Sequence, residues 1–160
     1  FPFLDRACTT DLIEGGVREQ LARSLHTDHV ARSGTGAALH RDWNDLGDTE
    51  RESSRSAADA IVTRLEAIGA RLVPLAAWDL SREVFTAAEI EQLAAAADER
   101  SRAEREAAGW TWAAERDDTA RHNPLLVAWD ALPDSARTYN REAARALPAL
   151  LARAGFEVAR

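Results

Sequence analysis

Apolar positions recur three and four residues apart over four long stretches, the spacing of helices with one buried stripe. The first stretch runs from about Thr10 to Val30, with Val17, Leu21 and Leu25 in line. A second follows Asp48 and carries Ala58, Ile61, Leu65 and Ile68. A third begins at Thr86, where Thr-Ala-Ala-Glu sets Glu89 to complete a capping box, and runs to Ala108 before Gly109 stops it. The fourth follows Asp134 and carries Ala144, Leu147, Leu151 and Ala154. Asp48 and Asp134 are expected as N-caps, accepting from free amides of the first turn. Gly69 and Gly155 suit the left-handed residue that ends a helix. The stretches behind them, "RLVPL" and "FEVAR", are expected to be short and extended. Pro148 falls inside the fourth helix and is expected to kink it or remove one hydrogen bond.

The second and fourth stretches are also alike in detail. Shifting the chain by 86 residues lays 43–72 on 129–158 without a gap, and ten of thirty positions are identical. They include Trp43 with Trp129, Asp48 with Asp134, Arg55 with Arg141 and Gly69 with Gly155. Two alanine-rich helices would match alanines by chance, but not also the flanking Trp, the Asp at the helix start and the terminal Gly. The expectation is a duplicated unit of helix, irregular loop, helix and short strand. The predicted fold is mainly α with short β strands. Residues 1–75 form a degenerate first repeat, 76–85 a connector and 86–160 the second repeat, packed as one compact domain with a pseudo-twofold axis.

Composition narrows the chemistry. With 160 residues and 46% hydrophobic content, the chain is long enough for a real core. It opens on Phe1 rather than Met and is read as a piece of a longer protein. Net charge is −7, and all 20 basic residues are Arg. That balance disfavours duplex nucleic acid, while local Arg forks still suit one small anion. Without Lys there is no Schiff-base chemistry and no P-loop lysine. The single Cys8 excludes an internal disulfide and fits a reducing, cytoplasmic setting. Membrane contact is not expected.

His26 and His29 share a helical face, but no further ligand completes a metal set with them, and His40 and His122 stand apart. "SGTGAAL", 33–39, follows a helix rather than a strand and reads as a loop. No residues assemble a nucleophile, a base and an oxyanion donor, so an enzyme is not expected, and neither is a metal or a cofactor.

The loop after the third helix, "GWTWAAERDDTARHNPLLVAW" from 109 to 129, differs from its surroundings. In an extended stretch Trp110 and Trp112 point to one face, so one can plug the local core while the other stays open. An open indole can stack a nucleobase, worth about 1–3 kcal/mol. Arg116 and Arg121 can meet phosphates, and Asn123 an amide-like edge. Trp110 is favoured for the ligand. Trp43, Trp129 and the connector's Trp78 are read as packing residues.

Together these residues resemble the RyR domain, the repeat named after ryanodine receptors and also found in bacterial proteins. Gly109, Trp110, Arg116, Asp117, Asn123, Pro124, Leu126, Val127, Trp129, Leu132, Pro133, Asn140, Arg141 and Gly155 fit its pattern. The likeness spans about 103–158, and "ARSLHTDHV" with 42–75 resembles a shorter version found first in bacterial tandem pairs. The first copy lacks the Gly-Trp and Asn-Pro motifs and carries Ser54 where the second has Asn140. The second copy has "ADERS" where the family often has His-Glu-x-Trp. Any site is therefore expected to be asymmetric and dominated by the second copy.

The resemblance implies a non-catalytic, cytoplasmic sensory module that binds a small adenine-containing nucleotide between two repeats. Cyclic and NAD-derived signals are among the candidates. It further implies regulation of an attached effector or channel module outside this stretch, with defence against phage among the settings and homo-oligomerisation left open. Trp110 would stack the base, with Trp112 beside it among the ligand-binding residues. Arg116, Arg121 and Arg141 would meet phosphates, and Asn123 and Asn140 would donate or accept hydrogen bonds. Arg55 and His26 would close the opposite wall. The alternative is a protein-interaction or assembly module without a small ligand.

Overall fold

A computed structural model describes residues 16–33, 41–76 and 85–160. The described chain is mainly helical, with one two-stranded antiparallel sheet. Its elements are helix α1 (Arg18–Ser33), a one-turn 3-10 helix (Trp43–Asp45), α2 (Asp48–Ala67) and β1 (Arg71–Pro74). There follow α3 (Ala87–Ala107), a second 3-10 turn (Trp129–Ala131), α4 (Asp134–Arg153) and β2 (Phe156–Ala159). Among the described residues no helix is long and apolar enough to cross a membrane. The readings on Cys8, His40, Trp78, most of the 33–39 loop and most of the connector lie outside the described residues.

The residues group into two units. The first holds described residues 16–76 and 148–160. Here α1 packs on α2, and their contact stripe is closed by an ionic lattice. Arg18 forks onto Asp59, with bonds of 2.8–3.1 Å, and also donates to Glu52 at 3.0 Å. Beneath these charges lie Leu21, Ala22, Ala58, Ile61 and Leu65, all buried. Each fully buried Ile or Leu stabilises the fold by about 1.5–3 kcal/mol. Gly69, at φ 72°, ends α2 in the left-handed region, and the chain leaves directly into β1. β1 pairs with β2 in the register Arg71–Ala159 to Pro74–Phe156. "RLVPL" and "FEVAR" are thus extended as the sequence indicates, and are each other's partners. Gly155, at φ 84°, makes the matching exit from α4.

The second unit holds described residues 85–147. Its core is Phe85, Leu93, Ala94, Leu126, Leu132, Ala144 and Leu147. The capping box at its start forms as the sequence predicts. The Thr86 hydroxyl accepts from the Glu89 amide at 3.3 Å, and the Thr86 amide donates to the Glu89 carboxylate at 2.7 Å.

Two local expectations need correction: the two caps and the end of the first helix. Asp48 and Asp134 are not N-caps. Each is the first residue inside its helix, where a carboxylate favours the positive end of the helix dipole. At α2 the orphan amide of Gly47 is met by Glu50 at 2.7 Å. At α4 the carbonyl of Pro133 accepts the first helical bonds. Helix α1 continues past Val30 to Ser33, while 10–15 lie outside the described residues. Pro148 lies within α4, which runs on to Arg153, so one missing amide is carried within a continuous helix.

Candidate functional site

Each unit contains the same three-residue clasp. In the first, the Trp43 indole Nε1 donates to Glu19 at 3.1 Å, and Arg55 Nε donates to the other oxygen of that carboxylate at 2.8 Å. In the second, Trp129 Nε1 donates to Glu91 at 2.9 Å and Arg141 Nε donates to it at 2.7 Å. In both, the guanidinium lies over the indole, 6.0 Å from its centroid for Arg55 and 5.9 Å for Arg141, within cation–π range. The guanidinium and indole N–H hold the Glu91 carboxyl well below the ordinary carboxylate range, at about 2. The Glu19 carboxyl is lowered as well, chiefly by Arg55. His26 joins the first clasp edge-on to Trp43 at 5.9 Å, with its Nε2 bonded to the Arg41 carbonyl at 2.9 Å. Arg55, Arg141 and His26 are therefore already engaged, and each 3-10 Trp is half-buried.

Asn140 sits one residue before Arg141 on α4, and its amide donates to Asp98 at 3.3 Å. Burial is the main influence on the Asp98 carboxyl and pushes its pKa up, against the pull of Arg102 and Asn140. Ser54, the counterpart of Asn140, bonds back to the Glu50 carbonyl at 3.3 Å instead.

The loop from Gly109 to Asn123 is built from backbone bonds. Gly109, at φ 83°, lets the Trp110 amide turn back to the Arg105 carbonyl at 3.0 Å and end α3. Thr111 then pairs on both of its backbone groups: its amide donates to the Arg121 carbonyl at 2.9 Å, and its carbonyl accepts from the Asn123 amide at 3.0 Å. Asp117 closes the loop tip, accepting from the amides of Thr119 and Ala120 at 2.9 and 3.0 Å. Asn123 is 2% exposed, and its side-chain oxygen accepts from the Leu125 amide at 2.9 Å. It shapes the Asn-Pro turn from inside.

On this frame the two tryptophans differ. Trp110 is half-buried, with Arg116 over its ring at 5.8 Å, whereas Trp112 is 59% exposed. The next residue, Ala113, lines an open hollow of about 580 Å³ with Glu115, Arg116, Asp117, Asp118 and His122. Arg116 donates to Asp118 at 2.7 Å in a pair exposed on both sides, while Arg121 donates to the Ala108 carbonyl at 2.6 Å. The structure thus brings Trp110, Trp112, Arg116, Arg121 and Asn123 into one loop. Asn140 and Arg141 are held on α4, and Arg55 and His26 belong to the other unit.

The RyR domain model matches residues 76–160, more than half of the chain. The chain belongs to the RyR domain family. A search of curated proteins returned no match. The RyR match contains the Glu91–Trp129–Arg141 clasp and the whole 109–123 loop, while the clasp of Glu19, Trp43 and Arg55 precedes it. The two carboxylates are what the sequence comparison missed. Glu19 lies 24 residues before its Trp and Glu91 lies 38 before its own, so a gapless shift cannot align them.

Proposed function

We propose that this RyR domain is a non-catalytic regulatory module that binds a small adenine-containing nucleotide on the 109–123 loop and signals to an attached effector. One observation carries the reading: the Gly-Trp-Thr-Trp stretch is held by its backbone while Trp112 stays 59% exposed, next in the chain to a residue of the open hollow. An indole on a backbone-held stretch can stack a base with little backbone ordering left to lose on binding. Arg116 is the guanidinium available to a phosphate. Its pair with Asp118 is solvent-screened, worth at most about 1 kcal/mol, and exchangeable. Arg141 and Arg55 act as clasp residues in this reading, and Trp110 backs the loop beneath Arg116.

Three carboxylates share the hollow with Arg116. Each added phosphate charge meets them, so weakly charged adenine ligands are favoured over triphosphates. Signalling requires only that two states of the protein differ in ligand affinity.

Calorimetry with adenosine, AMP, ADP, ATP, ADP-ribose and cyclic dinucleotides tests this. The expected result is heat with the less charged members, tighter binding of AMP than of ATP, and loss of about 5- to 100-fold in affinity for Trp112→Ala with the fold intact. Silence across the panel overturns it. That outcome would favour a protein-interaction module, for which the exposed Trp112 and Leu125 supply apolar anchors.

A further inference from the structure

Arg121 has φ 56° and is the only non-glycine residue with positive φ among the described residues. A long side chain rarely occupies this region, because Cβ crowds the following carbonyl. Such strain persists only where neighbours over-determine it, and it concentrates at ligand sites. The neighbours here are specific. The Arg121 carbonyl accepts from Thr111, in the middle of the Gly-Trp-Thr-Trp stretch, at 2.9 Å. Its guanidinium donates to the Ala108 carbonyl at 2.6 Å, at the C-terminal end of α3, where the helix dipole favours a cation. A Cβ on Gly109 would stand 3.2 Å from that guanidinium, so this glycine both turns the chain and leaves room for the arginine. One residue thus grips the tryptophan stretch before its start and at its centre. Arg116, not Arg121, lines the hollow.

We infer that Arg121 is a positioning residue: by tying Thr111 to the end of α3 it fixes the stretch that presents Trp110 and Trp112, and it does not itself bind phosphate. The inference rests on reading this loop as the ligand site. Its strained backbone is the consequence of meeting both anchors from one position.

Two variants test it. Arg121→Met removes the guanidinium and keeps the strained backbone. Arg121→Gly removes both, and carries the same measurements if the Met variant does not fold. Hydrogen exchange at the Thr111 amide is read with affinities for adenosine, AMP, ADP and ATP. The expected result is exchange at Thr111 faster by about 10-fold or more, the loss of one charge-assisted bond, with α1 amides unchanged. Affinity falls by the same factor for all four ligands. Unchanged Thr111 exchange overturns the inference, as does a loss that grows from adenosine to ATP, which would make Arg121 a phosphate contact. If none of the four binds the unmodified protein, the nucleotide reading fails separately, and Thr111 exchange alone decides the positioning role.

Discussion

Glu91 shows how a single residue organises its surroundings. Its carboxylate meets an indole N–H and a guanidinium at once, and these lower its pKa to about 2 from an ordinary 4.5. The folded value lies below the unfolded one, so the charged form stabilises the fold. That contribution is complete above about pH 4.5 and is lost as pH falls through about 2. Thermal midpoints of the protein and of Glu91→Gln, measured across pH, should lie apart near neutrality and converge toward pH 2. A constant gap down to pH 2 would show that the clasp is not ionic. The tryptophans of both clasps were legible in the sequence, and so was their place before a packed helix. Their acidic partners were not, because a hydrogen bond across 24 or 38 residues leaves no local period. The arginines were legible as matched positions but not in their role, since a sequence does not show which carboxylate already holds a guanidinium.

At the scale of elements, helices α2, α3 and α4 end where glycine allows the left-handed turn, and all three endings were readable in advance. The three glycines are not equivalent. A Cβ at Gly69 or Gly155 would meet nothing within 4 Å, whereas at Gly109 it would meet Arg121. Gly155→Ala should therefore cost only the strain of its φ, about 1–2 kcal/mol. Gly109→Ala should cost more, because the arginine must also give way. Urea unfolding of both variants checks the order, and equal losses would mean that Arg121 shifts freely. Helix starts were less legible than ends. Aspartate serves equally as a cap or as a first-turn residue, and the outcome at Asp48 and Asp134 turned on Glu50 and on the Pro133 carbonyl. The pairing of β1 with β2 was also hidden, since each strand is only four residues long and their partnership spans most of the chain.

For the whole molecule, the proposed reading rests on a difference among the tryptophans: Trp112 is 59% exposed, while Trp43 and Trp129 donate to Glu19 and Glu91. The net charge of −7 disfavours highly anionic ligands in the proposed reading. The loop's composition singled out this segment and favoured Trp110 for a ligand, whereas the structure leaves Trp112 the more exposed of the two rings. Only backbone pairing at Thr111 and the placement of Arg116 over Trp110 separate the two rings. The most direct measurement is an NMR titration with AMP that follows the indole N–H resonances. The account predicts that the Trp112 signal moves in a saturable way while those of Trp43 and Trp129 stay fixed. Movement of Trp43 or Trp129 with Trp112 unaffected, or no movement at saturating AMP, would contradict it.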